Sequence, residues 1–223
     1  MGSDRLQHNA GAAHPSESSA VPFIGLTGAV ATGKSEALAA FGRLGAAVLS
    51  ADSVVHELLA ESDVVAKVTE RFGSGVAPGG EVDRDLLAKV VFDDDEARRW
   101  LEQTVWPLVG LRMWEWRTQQ AQADPRPRAS VIEVPLLFES GMDQAFDTTV
   151  CVVSDQAKRV ERAAARGQVA VDERTNKQLS QHEKAARSDH VVQNDGSIEE
   201  LQAKLSDLLE TIVTDGNTNS MEN

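Results

Sequence analysis

With 223 residues, 22 Lys+Arg against 35 Asp+Glu and a formal charge of −13, the chain is long enough for one α/β domain carrying an insertion, and it is strongly acidic. That charge disfavours non-specific binding to nucleic acid or to an anionic membrane, and no apolar run nears the ~18–20 residues of a membrane span. Its single cysteine, Cys151, excludes an intrachain disulfide and a multi-cysteine metal site, and its apolar surroundings read as a small buried hydrophobe.

Residues 1–21 are rich in Ala, Ser and Gly and lack an apolar signal core, so they are expected to be a disordered leader. A first strand is expected over Val21–Leu26. It feeds the run Gly28-Ala29-Val30-Ala31-Thr32-Gly33-Lys34-Ser35, the G-x-x-x-x-G-K-S pattern of a P-loop in its strand–loop–helix context. Glycines let backbone N–H groups turn inward around phosphate oxygens, and the following helix presents its positive N-terminus to the same oxygens. Lys34 adds a full charge for the terminal phosphates, and the Ser35 hydroxyl is a magnesium ligand candidate. Residues 28–35 are thus candidates for holding ATP.

A helix over Lys34–Leu44 should bury Leu38, Phe41 and Leu44, and Gly45 should stop it. Ala46–Ser50 reads as a short buried strand ending at Ala51-Asp52. From about 53 to 122 the pattern is helical, with apolar sets Val64, Val65, Val68, Phe72, then Leu86, Leu87, Val90, Val91, then Leu101, Val105, Leu108, Leu111. Pro107 is expected to break the last of these or to start a new helix. Ser130–Leu137, its ladder expected to end at Pro135, and Thr148–Val153 read as core strands, Gln156–Arg166 as a basic helix, and His190–Gln193 as a last short strand. Ser197 and Glu200 form a capping-box pattern for a final helix with the stripe Ile198, Leu201, Leu205, Leu208 and Ile212, followed by a frayed tail over 214–223. Strands alternating with helices predict a parallel sheet covered on both faces.

Several segments together resemble one family, dephospho-coenzyme A kinase. They are Ile24–Gly28 with the P-loop, Ala51-Asp52, Val82-Asp83-Arg84, Val91-Phe92, Leu101-Glu102, Trp106-Pro107, the run Val134-Pro135-Leu136-Leu137-Phe138-Glu139, and the series Gln178, Lys184, Arg187, Asp189, Val192 and Asn194. The resemblance covers about Pro22 to Val213 and implies a three-layer P-loop kinase fold with a five-stranded parallel sheet. It further implies a domain over 22–213, with a helical acceptor-binding insertion at about 53–122 and a lid at about 156–188. The implied activity is transfer of the ATP γ-phosphate, with Mg2+, to the ribose 3′-hydroxyl of dephospho-CoA. Such an enzyme is expected in the cytoplasm as a monomer or small homo-oligomer, with no nucleic-acid or membrane partner. Relative to the family pattern, Ala29 stands for Gly, Glu36 for Thr, Ser50 for the first carboxylate of Asp-Ala-Asp, Trp106 for His, and Ala163 falls at a lid arginine.

The resemblance and the residue types assign roles. Asp52, Lys34 and Arg162 are the candidate catalytic groups, Arg166 and Arg187 join residues 28–35 in holding ATP, and Asp52, His56 and Arg84 face the acceptor. Asp52, just past a strand's end, either accepts the hydroxyl proton or caps the next helix. Arg159, Arg162 and Arg166 either clamp phosphates or form a solvated basic face. Asp83 is a cap candidate, Glu133 and Glu139 are either near magnesium-bound water or on the surface, and Trp100, Trp106, Trp114 and Trp116 read as core. Competing readings are a kinase for another acceptor and a degenerate nucleotide-binding regulator. A GTPase switch is rejected, because Asn176-Lys177-Gln178-Leu179 lacks the carboxylate that would read guanine.

Overall fold

The apolar runs of the chain become five parallel strands in the computed structural model, which describes residues 21–92, 94–165 and 178–219. They are β1 (Phe23–Gly28), β2 (Ala47–Ser50), β3 (Ser130–Glu133), β4 (Thr148–Val153) and β5 (His190–Gln193), hydrogen-bonded in the order β2-β3-β1-β4-β5. The register pairs Leu26 with both Glu133 and Val150, Ser50 with Glu133, and Val153 with Gln193. All strands therefore end along one edge, and β1, bearing the P-loop, lies at the centre where the chain's progress across the sheet reverses. That is where open α/β sheets bind ligands.

Alternate residues of each strand serve opposite faces. On one face Ile24, Leu26, Val131, Val150 and Val152 pack against Phe41 of α1 (Lys34–Arg43) and Leu201, Leu205 and Leu209 of α8 (Ile198–Asn219). On the other, Phe23 and Ile132 meet a core supplied by the helices between β2 and β3. These are α2 (Ala51–Leu58), α3 (Ser62–Phe72), α4 (Arg84–Phe92) and α5 (Asp95–Ala121), contributing Val54, Leu58, Val68, Leu87, Val109 and Met113. Two shorter helices, α6 (Gln156–Ala165) and α7 (Gln181–Arg187), flank the strand ends.

Several expectations are corrected. The second strand is an edge strand with Val48 exposed, because β2 pairs on one side only. The third stops at Glu133 and does not reach Leu137, and Pro135, where the ladder was expected to end, lies in a turn. Pro107 breaks nothing: α5 runs through it for 27 residues. Val105, Val109 and Met113 on either side are buried in one cluster, so a break would expose both halves. Leu111 and Trp114 are exposed on the opposite side of that helix, whereas Trp100, Trp106 and Trp116 are half-buried against the core. In α8, Ile198 is exposed and Leu209 takes a core place, and the helix continues past 213 to Asn219. Ser197 Oγ accepts from Glu200 N at 3.2 Å.

Candidate active site

The phosphate loop owes its shape to a few positions with little steric freedom. A Cβ on Gly28 would lie 2.4 Å from the Val152 carbonyl oxygen, and one on Gly33, whose φ is +95°, 2.2 Å from Asn194 Nδ2. Ala31 adopts φ 61°, while Ala29 has no left-handed backbone, so alanine sits there without strain where the family pattern has glycine. The loop's carbonyls are taken by donors. Ala29 O accepts from Thr32 Oγ1 at 3.0 Å and Lys34 Nζ at 3.1 Å. Val30 O accepts from Arg159 Nε at 3.0 Å, and Thr32 O from Asn194 Nδ2 at 2.8 Å and Arg162 Nη1 at 3.5 Å. With these carbonyls occupied, the N–H groups of the loop and the first turn of α1 form the anion-binding side. Ser35 is exposed in that turn. Glu36, one residue on, pairs with Arg43 at 2.7 Å, a partner at the far end of α1.

Beneath the loop lies a group of coupled charges. Burial holds the Lys34 ammonium below its ordinary value, against Glu133 and Asp52, which pull it up, and with Lys184, which pushes it further down. Burial likewise raises the Glu133 carboxyl, with Lys34 opposing and Asp52 adding to the rise. Glu133 is therefore no surface carboxylate: it is buried at the end of β3 between the strands that carry the P-loop and Asp52. Burial first, and nearby Lys184 in opposition, set the Cys151 thiol at about 11, so this cysteine is an inert core residue as expected.

Asp52 is exposed in the first turn of α2. The helix cap is Ser50, so Asp52 is not the cap. One turn further, His56 is exposed and lines a cavity of about 720 Å³ that Arg84, Leu87, Val91 and Leu101 also line. Two of the three acceptor candidates thus share one cavity. Asp83 caps α4, with Oδ1 accepting from Asp85 N and Leu86 N, each at 3.0 Å. Arg162 reaches the P-loop as expected, and Arg159 joins it. Arg166 lies outside the described residues. Arg187 is exposed at the C-terminal end of α7, with Glu183 close enough to feel its charge.

Three further groups complete this site, two of which, Asn194 and Lys184, had no local sequence signal. Asn194 follows β5 and tethers the loop through Thr32. Lys184 is fully buried, donating to the Pro135 carbonyl and pairing with Glu139 Oε1 at 2.9 Å. Glu139, which also accepts from Leu179 N at 2.9 Å, is thus an internal partner and not a surface carboxylate. For Lys184 and Asn194 the available hint was that both fall in segments carrying the family resemblance.

A phosphate-cradling loop at the centre of a parallel sheet, with arginines from a neighbouring helix fastened to its outside, defines a P-loop kinase. The family is narrower still. The sequence model of the dephospho-CoA kinase family (CoaE) matches residues 22–200, and the chain belongs to that family. A dephospho-CoA kinase of Symbiobacterium thermophilum is 39% identical over 188 residues, covering 82% of this chain and 78% of its own. One from Bacillus licheniformis is 35% identical over 193 residues, covering 84% and 95%. The crystal structure of TT1252 from Thermus thermophilus superposes with a TM-score of 0.71 at 31% identity, covering 86% of this chain and 98% of that one. A dephospho-CoA kinase from Campylobacter jejuni, at 23% identity and a TM-score of 0.64, shares the fold. The chain is accordingly a phosphotransferase with an alcohol acceptor, the kinase of the last step of coenzyme A synthesis. No described helix is long and apolar enough to cross a membrane.

Proposed function

We propose that Asp52 carries the chemistry of this kinase, acting on the ribose 3′-hydroxyl of dephospho-CoA while residues 28–35 hold ATP. The observation that supports this most is the placement of Asp52. It is an exposed carboxylate at the strand-end edge, within electrostatic reach of Lys34, on the same helix as His56 and its cavity. In the step, the 3′-oxygen forms its bond to the γ-phosphorus as the bond to the bridging oxygen of ADP breaks, and Asp52 takes the hydroxyl proton. Lys34 leaves the Ala29 carbonyl for the terminal phosphates, and Arg162 neutralises charge that spreads onto the transferring group.

The donor set suits magnesium: the Ser35 hydroxyl is a hard oxygen ligand, and the Glu133 carboxylate is another nearby. Magnesium at such a site takes its remaining ligands from substrate phosphates and water. When bound, magnesium neutralises phosphate charge during transfer. The same reading assigns the cavity lined by His56 and Arg84 to the acceptor, the region about 53–122 to acceptor binding and about 156–188 to a lid. It also places the enzyme in the cytoplasm. Two of the deviations from the family pattern are compatible with activity: Ala29 is unstrained and Glu36 is paired to Arg43.

Asp52→Asn keeps the shape and removes the base. ATP binding, followed by calorimetry, should stay within about twofold of wild type, while phosphoryl transfer falls at least ~100-fold. Near-normal transfer would reduce Asp52 to a bystander.

A further inference from the structure

Arg162 donates, among the described residues, to uncharged acceptors: Thr32 O at 3.5 Å, Asn194 O at 3.0 Å and Ser154 Oγ at 3.2 Å. A carboxylate stands one hydroxyl away. Ser154, buried at the end of β4, donates its own proton to Asp195 Oδ1 at 2.7 Å, and so turns a lone pair to Arg162. The same Asp195 oxygen accepts Asp155 N at 2.7 Å, at the root of α6, the helix that carries Arg159 and Arg162. Gln193 donates to the other oxygen, and Gln181 accepts the Ser154 N–H at 3.0 Å. Val153 and Gln193 are in register at the ends of β4 and β5, so Ser154 and Asp195 are seated on rigid strand ends.

Building on the proposed function, we propose that Asp195 is a positioning residue for phosphoryl transfer, holding Arg162 at the mouth of the phosphate loop through the Ser154 hydroxyl. The arrangement orients the guanidinium without neutralising it. A carboxylate in direct contact would form a bidentate pair and compete with phosphate. Set back behind a hydroxyl, Asp195 fixes which way the Ser154 proton points and leaves Arg162 free to engage an anion. Hydrogen bonds, from Gln193 first and then from Asp155 N and Ser154 Oγ, hold the Asp195 carboxyl down at about 2, so it is ionised throughout the working pH range. Asn194, beside it, tethers the loop itself, so two consecutive residues after β5 place the loop and its arginine relative to each other.

A double-mutant cycle between Asp195→Ala and Arg162→Ala tests this, with Ser154→Ala as the milder variant that leaves the Asp195–Asp155 contact in place. Each is read on kcat with dephospho-CoA and on ATP affinity by calorimetry. Expected are a fall in kcat of roughly ten- to a hundred-fold for Asp195→Ala, and a smaller fall for Ser154→Ala. In the Arg162→Ala background either change should alter kcat and ATP affinity less than about twofold. Equal losses in both backgrounds would make Asp195 a general stabiliser and overturn the proposal, as would an Arg162→Ala enzyme with normal kinetics and ATP affinity. Failure of the wild type to phosphorylate dephospho-CoA would instead defeat the functional reading, and the ATP-affinity cycle would still decide the role of Asp195.

Discussion

The carboxyl of Glu133 is raised chiefly by burial, with the Lys34 ammonium pulling it back and Asp52 adding to the rise. The folded chain therefore holds this proton more tightly than the unfolded chain does. Stability from that source is fully present below the ordinary value of 4.5 and is lost as pH rises through the folded value. Glu133→Gln should thus melt higher than wild type at neutral pH, and that advantage should disappear toward pH about 4. Equal melting differences at both pH values would mean that Glu133 is not desolvated as described. The buried carboxylate beneath the phosphate loop is thereby also a site of stored instability, as buried functional charges commonly are. Neither Glu133 nor Lys184 could be placed from sequence, since a lone charged residue next to an apolar run has the same local pattern whether it caps a surface turn or pairs inside. The P-loop, by contrast, was legible residue by residue. Its glycines, lysine and serine answer local demands of backbone shape and charge that no distant contact needs to supply.

At the scale of elements, β4 and β5 took the bounds their apolar patterns give, and α1 starts at Lys34 as expected. Helix α7 was not separately legible, for a specific reason. Its one buried residue is Lys184, so it has no apolar period, and only the Ser180–Glu183 capping box marks it. The order of strands is likewise a tertiary property, and so β2 read as buried when it lies at an edge. In α5 the error ran the other way, with a local rule overruled by burial on both sides of Pro107. The proline still leaves the Gln103 carbonyl without its usual helical donor and crowds it with the ring. Pro107→Ala should stabilise the fold by up to about 3 kcal/mol, several degrees in melting temperature for a chain of this size. A lower melting temperature would show that the ring fills space the helix depends on.

For the whole molecule, an overall charge of −13 surrounds a site whose loop is lined by Lys34, Arg159 and Arg162. The long-range field repels polyanions, while the local cations and helix N-terminus attract a small phosphorylated ligand at one edge of the sheet. This balance suits a kinase for soluble nucleotide-like substrates. It also makes acceptor choice a matter of the pocket beside α2 and α4 and not of general attraction. Acceptor choice is read most directly by mass spectrometry after incubating the enzyme with ATP and Mg2+ and, side by side, dephospho-CoA, AMP, CMP, shikimate and adenosine. The predicted result is a gain of one phosphate on dephospho-CoA alone. ATP binding with no transfer to dephospho-CoA, or preferential transfer to another member of the panel, would contradict it.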